Sequence, residues 1–200
     1  MSKTAMFKKS IAAGVLIGIG AVIKLLSANG IVGSVLFSIG LFFICTLDMY
    51  LFTGKIGYIN KENWKDYPII WIGNLLGAII SMALVRIAVP ELHNIVQTIM
   101  MAKIENNILS TMILSLFCGI IMYLCVDNYK KSESGISKVF GIVIGVTVFL
   151  LAGFEHSIAD MAYASLFVSN FIDVINSIIF LLIVSAFNAI GSNAIRFLLK

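Results

Sequence analysis

Glu155 and His156 stand side by side in Gly153-Phe154-Glu155-His156-Ser157, inside an otherwise apolar stretch, with Asp160 close behind. Ionisable side chains at membrane depth cost roughly 2.5–3.5 kcal/mol each on insertion scales, so an adjacent pair calls for a reason. Imidazole changes charge near physiological pH. It can meet an anion as a hydrogen-bond donor or lend it a proton; a histidine bonded between helices is the structural alternative. Thr53, in Leu51-Phe52-Thr53-Gly54-Lys55, offers a second donor, although its hydroxyl can equally bond back to its own helix. Asn74 and Asn188 suit the capping of interrupted helices, where released backbone groups need partners. Phe37, Leu41 and Phe149 lie in apolar runs ahead of the two polar stretches. Bulky apolar groups on both sides of a polar centre make dry constrictions that pass small solutes, and ordinary packing explains any one of them equally well.

The elements that must carry these residues follow from composition. The chain has 200 residues, 60% apolar and 12% charged, with a mean hydropathy of +1.04. A soluble domain carries about 45–50% apolar and about 25% charged residues. The excess cannot be hidden in one core of this size, which argues against a soluble enzyme, a nucleic-acid-binding domain and a disordered chain. An all-α, polytopic membrane protein is expected. Six segments are long and apolar enough to cross a bilayer: about 10–27, 31–59, 67–89, 108–127, 136–168 and 171–197. The first lacks a small-residue cleavage site before a polar mature chain and reads as a span. The breaks, including the polar run from Pro90 to Asn107, are too short for a further domain, so one channel-like domain over 1–200 is expected.

Charge sets the orientation. Eleven of the 14 basic residues, among them Lys8, Lys9, Lys55, Lys130, Lys138 and Arg196, fall at one side; Lys24, Arg86 and Lys103 fall at the other. The positive-inside rule then puts both termini in the cytoplasm, as an even number of spans also requires. Lys130-Lys131 reads as part of that signal, His93 as a solvated residue of an outer loop, and Asp48 as a charge whose partner is not legible.

The second and fifth segments are too long for plain spans, and each is interrupted, at Leu51 to Lys55 and at Gly153 to Ser157. Irregular backbone is tolerated at membrane depth where it lines a cavity. Corresponding interruptions in two halves, about 10–89 and 108–197, point to an inverted repeat with a central site. In that scheme Thr53 pairs with His156 as the opposite wall, and Asn74 with Asn188. Two half-helix N-termini facing the site would favour an anion without a lysine at the centre. The three cysteines, Cys45, Cys118 and Cys125, lie in apolar runs and suggest neither disulfides nor a zinc site. No P-loop, GxSxG, HExxH or CxxC pattern is present, so hydrolysis and ATP coupling have no support. No cofactor and no metal are expected.

The run Gly153-Phe154-Glu155-His156-Ser157-Ile158-Ala159-Asp160-Met161 resembles the GFEHSxANM signature of the formate–nitrite transporters, also called formate channels. Leu51-Phe52-Thr53-Gly54 resembles that family's LFTG element. Gly73-Asn74-Leu75-Leu76-Gly77 and Asn188 to Gly191 resemble its third- and sixth-span motifs, and the order holds along nearly the whole chain. The resemblance implies an unusually short member with an aquaporin-like fold of six helices, the second and fifth broken. It implies a homopentamer with a pore in each protomer for formate, nitrite, hydrosulfide or short carboxylates, as anions or as their acids. It assigns Thr53 and His156 to the pore centre and Glu155 to their support. It assigns Phe37 and Leu41 to the inner constriction, Phe149 to the outer, and Asn74 and Asn188 to the helix breaks. Three positions depart from the pattern: Asp160 replaces an asparagine, Tyr123 an asparagine of the fourth span, and Asn107 the outer-vestibule lysine, with Lys103 one turn earlier.

The expected function is a passive or proton-linked channel for a small monovalent anion in the cell membrane, with lipid as its other partner and no nucleic acid. An aquaporin-like facilitator of neutral solutes is the alternative. An integral enzyme using Glu155 and His156 as an acid–base pair lacks a nucleophile and a metal shell. A non-transporting assembly protein predicts no flux at all.

Overall fold

The computed structural model describes residues 2–200, and among them it forms nine α-helices and no strand. They are α1 Lys3–Leu26, α2 Gly30–Thr46, α3 Phe52–Lys55, α4 Tyr67–Ala88, α5 Leu92–Ile104, α6 Ile108–Lys131, α7 Gly135–Leu151, α8 Ser157–Phe167 and α9 Phe171–Leu198. Polar side-chain caps start six of them. Asn29 accepts the Ile31 and Val32 amides ahead of α2, Asn107 those of Leu109 and Ser110 ahead of α6, and Asn170 that of Asp173 ahead of α9. Four stretches are long and apolar enough to cross a membrane: Lys3–Leu26, Trp64–Ala88, Ile108–Lys131 and Phe171–Leu198. The helices α2 and α7 are apolar too, but stop after 17 residues.

The outer faces are apolar as well. Ile87 is 81% exposed, Ile136 73% and Phe171 75%. Water would penalise such surfaces, and lipid or a neighbouring membrane helix would not. The protein is therefore an integral membrane protein whose polar groups must be satisfied inside.

Inside, close helix contacts rest on glycine. A Cβ on Gly14 of α1 would lie 2.1 Å from the Asn74 carbonyl oxygen of α4; one on Gly119 of α6 would lie 2.1 Å from the Asn188 carbonyl oxygen of α9. Small residues at crossings bring backbones together where no hydrophobic effect separates helix from lipid. The helices α2 and α7 also pack against each other, and α8 sits deepest, with every residue but Ser165 buried.

Two expectations from the sequence are corrected by the fold. The run Pro90 to Asn107 is not a plain loop: α5 fills most of it and buries Leu92, Val96 and Met100, a four-residue spacing that marks one helix face. The interruptions also come earlier than expected. Helix is lost at 47–51 and 152–156, so Thr53, Gly54 and Lys55 belong to the one-turn helix α3 and Ser157 opens α8.

Candidate functional site

Each interruption turns on one residue with positive φ: Asp48 at 44° in the first and Gly153 at 69° in the second. Such backbone releases amides and carbonyls from helical partners, and one asparagine collects them in each case. Asn74 Oδ1 accepts the Phe52 amide at 2.8 Å, while its Nδ2 donates to the Ser10 and Tyr50 carbonyls, both at 2.8 Å. Asn188 Oδ1 accepts the Ser157 amide at 3.0 Å, while its Nδ2 donates to the Ser115 and Glu155 carbonyls, both at 2.8 Å. Each asparagine fills three of its four bonding positions on backbone, all buried except the half-buried Tyr50 carbonyl. It holds the start of the following helix, the interruption and a neighbouring span in register.

These equivalences fix which residues correspond. Ser10 and Ser115, Tyr50 and Glu155, and Phe52 and Ser157 are all 105 positions apart. By that spacing the counterpart of His156 is Leu51, and the counterpart of Thr53 is Ile158. The expected equivalence of Thr53 with His156 is therefore corrected: they meet across the site as unrelated positions.

They do meet. His156 Nε2 and Thr53 Oγ1 are 2.8 Å apart, and both residues are buried. His156 is also the cap of α8, its Nδ1 accepting the Ala159 amide at 3.0 Å. With Nδ1 used as an acceptor, the neutral ring carries its proton on Nε2 and donates it to Thr53. The threonine hydroxyl then has its own hydrogen free to donate elsewhere. Phe149 stacks on the imidazole, with ring centroids 5.3 Å apart and planes 19° apart, and Phe37 meets Phe149 edge-on at 6.2 Å. Phe37 thus lies against Phe149 beside the imidazole. Leu41, one turn further along α2, lies instead with Leu51 and Gly54.

Leu41 and Leu51 line a cavity of about 200 Å³ that also touches Asp48, Lys55, Lys130 and Lys138. Asp48 finds its partner there, 3.0 Å from Lys55 Nζ, and Lys9 donates to the Asp48 carbonyl at 3.0 Å. Tyr123 does not touch the histidine. Its ring lies 5.4 Å from that of Tyr58, whose hydroxyl donates to Asp127 at 3.0 Å.

The opposite flank is built on Lys103. Its ammonium bridges two buried carboxylates, Glu155 Oε2 and, at 3.1 Å, Asp160 Oδ1. Lys103 also lines a second cavity of about 250 Å³ with Asn106, Thr111, Asn176 and Phe180. Asn107 takes no part and serves as the α6 cap. Sequence reasoning left Lys103 as a substitute for Asn107 and gave Asp160 no task; recognising α5 from its apolar spacing would have turned Lys103 inward. His93 is not a free loop residue either. It lies 2.7 Å from the Leu166 carbonyl beside Arg86, which donates to the Leu166 and Val168 carbonyls at 2.8 and 3.2 Å and fastens the end of α8.

A helical membrane protein in which the starts of two short helices meet at a buried threonine–histidine pair has known relatives. The family model described as "Formate/nitrite transporter" matches residues 1–199. The chain belongs to the formate/nitrite transporter family. It is 28% identical over 181 residues to the formate channel FocA of Escherichia coli K12, a match covering 78% of this chain and 63% of that one. It is 26% identical over 175 residues to the nitrite transporter NirC of the same organism, covering 77% and 65%. The chain thus spans less than two thirds of the length of these curated relatives. Among solved structures, a pentameric formate channel with formate bound superposes with a TM-score of 0.85 at 23% identity, over 98% of this chain and 95% of that one. A formate–nitrite-family ion channel gives 0.83 at 22%, over 95% and 86%.

Proposed function

We propose that this protein is a channel for small monovalent anions or their conjugate weak acids, with formate, nitrite, hydrosulfide and short carboxylates as the candidate class. The observation that carries the reading is the buried Thr53–His156 contact, 2.8 Å long and roofed by Phe149. An anion arriving there finds a hydroxyl and an imidazole N–H, both donors. Because His156 Nδ1 is committed to the Ala159 amide, the ring acts by donating from Nε2. Phe37 and Phe149 form the constriction on the Lys103 side, and Leu41 with Leu51 the constriction toward Lys55 and Lys130. A hydrated ion must shed water at both, which excludes large or multiply charged solutes.

The architecture in this reading is one channel domain over 1–200 with six spans. It is an aquaporin-like inverted repeat of about 10–89 and 108–197, with the second and fifth helices broken. The matched asparagine bonds and glycine contacts support it. The gathering of Lys9, Lys55, Lys130 and Lys138 at one cavity supports cytoplasmic termini in a plasma membrane. A homopentamer fits the exposed apolar faces and the pentameric relative.

Flux into liposomes tests the reading. The protein is expected to carry at least one of formate, nitrite, hydrosulfide, acetate and lactate. His156→Ala and Thr53→Val are expected to slow it about tenfold, the scale of one charge-assisted hydrogen bond. Full rates in both variants at every pH would remove the assigned roles, and passage of glycerol without any ion would make the protein a neutral-solute facilitator.

A further inference from the structure

The chain holds two tryptophans, Trp64 and Trp71, and both line one groove. The groove has a volume of about 490 Å³, and its walls include Phe52 of α3, Tyr67 of α4, and Leu182 and Ser185 of α9. A single hydrogen bond joins α4 to α9, Trp71 Nε1 donating to Ser185 Oγ at 2.8 Å. Tyr67 donates its hydroxyl to the Lys55 carbonyl at 2.9 Å. These polar groups are thus satisfied within the protein, and the walls offer an occupant mainly apolar surface. The groove changes character along its length. Leu182, Ser185, Ala189, Asn193 and Arg196 follow at spacings of three or four and share one face of α9. From Leu182 to Arg196 that face rises about 21 Å, against about 15 Å for half of a bilayer's hydrocarbon core. It ends at a pocket of about 250 Å³ lined by Asn193, Arg196, Phe197 and Lys200. The half-buried Arg196 donates from Nη1 to the Gly57 and Ile59 carbonyls at 2.8 and 3.2 Å, and among the described residues no carboxylate pairs with it. Lys61 and Lys65, on either side of Trp64, have Glu62 and Asp66 as neighbours, whereas α9 carries no acidic side chain after Asp173.

We infer that this groove binds one anionic phospholipid, with an acyl chain between α4 and α9 and its phosphate on Arg196. A phospholipid matches the groove from end to end. Its chain needs a dry channel about one leaflet deep, which the face from Leu182 to Arg196 supplies. Its glycerol region falls at the level where tryptophan and tyrosine gather in membrane proteins, here Trp64 and Tyr67. Its phosphate meets a guanidinium that has carbonyls on one nitrogen and no competing acid, and guanidinium suits phosphate oxygens in both charge and shape. The occupant also bears on the site from behind. Phe52 at the groove precedes Thr53, and Tyr67 and Arg196 both hold carbonyls of the segment from Lys55 to Ile59 that follows it. The inference concerns lipid and not solute, and it stands independently of the channel reading.

Because the groove holds both tryptophans, lipid chains carrying bromine report on it by quenching the protein's tryptophan emission. The wild-type protein is placed in phosphatidylcholine vesicles and titrated with phosphatidylglycerol brominated on its chains or, separately, with phosphatidylcholine brominated in the same way. Half-quenching is expected at about one fifth as much of the anionic lipid, the preference that one basic residue gives at a membrane surface. Unbrominated phosphatidylglycerol is expected to restore the emission. Equal quenching by the two brominated lipids means contact with bulk lipid only and overturns the inference. Absence of quenching by either also overturns it, since a second copy of the chain or another protein then covers the groove. Arg196→Gln is expected to make the two headgroups equally effective, and a preference that survives in that variant overturns the inference as well. The wild-type titration decides by itself if Arg196→Gln fails to fold.

Discussion

Residues 47–51 and 152–156 each interrupt the chain after a 17-residue helix, and each is tied down by an asparagine making the same three bonds. The segments beyond them differ. After the first interruption comes a single helical turn, then a short turn whose carbonyls are held from α9: Asn193 donates to Ile56, and Arg196 to Gly57 and Ile59. After the second comes the 11-residue α8, capped by the histidine of the site and flanked by the Lys103 ion cluster. One framework therefore carries two unlike inserts. The shared asparagines and glycines keep the backbone in place, which leaves positions 51 and 156 free to be leucine in one half and histidine in the other. The lesson is that the matched bonds belong to the backbone framework and not to the chemistry.

The comparison breaks most visibly at the asparagines. Asn74→Ala and Asn188→Ala each strip partners from three backbone groups, all buried except the half-buried Tyr50 carbonyl, at about 1–3 kcal/mol for each group left bare. Each variant is expected to lose roughly 3–5 kcal/mol, seen as a large fall in thermal midpoint in detergent. The two losses should agree within about 1 kcal/mol if the scaffold roles are equal. A mild Asn74 variant beside a crippled Asn188 variant would mean that only the second interruption depends on its tie.

The glycine crossings come next. Gly14→Ala and Gly119→Ala each push a methyl to about the position of a carbonyl oxygen of the facing helix, since both ideal Cβ positions lie 2.1 Å from it. Backbone cannot rotate away as a side chain can, so the helices must separate. Each variant is expected to cost about 3 kcal/mol, the upper end for overpacking, again measured by thermal unfolding. Unshifted midpoints in both would show that these crossings are looser than the structure places them.

Much of this scaffold was legible beforehand. Apolar lengths gave the helices, and Thr53, His156, Asn74 and Asn188 stood out as polar residues in apolar runs, where each must be hydrogen-bonded. The family came from the run 153–161. Relative placement escaped. Phe37 and Leu41 lie four residues apart on one helix, and nothing in linear order says that the first packs on Phe149 while the second lines a cavity with Leu51. Leu51 was invisible as the counterpart of His156 because the equivalence is carried by backbone bonds of Tyr50 and Phe52, not by side-chain type. The carboxylate partners of Lys103 escaped because polar residues around α5 masked the Leu92, Val96 and Met100 face that turns it toward Glu155 and Asp160.

The sharpest small test of the comparison lies at the two positive-φ residues. Gly153 sits at +69° with open space where a Cβ would go. Gly153→Ala thus meets no steric neighbour and incurs only the left-handed backbone penalty of about 1–2 kcal/mol. Asp48, at 44°, already carries that penalty. Asp48→Gly relieves it and gives up the contact with Lys55, in which the aspartate side chain is 74% exposed and contributes little. The expected result is opposite signs, a lower thermal midpoint for Gly153→Ala and an equal or slightly higher one for Asp48→Gly. If Asp48→Gly instead lowers the midpoint by as much as Gly153→Ala, the Lys55 pair is holding the first interruption in shape. The first insert would then depend on an ion pair at its turn just as the second depends on its glycine.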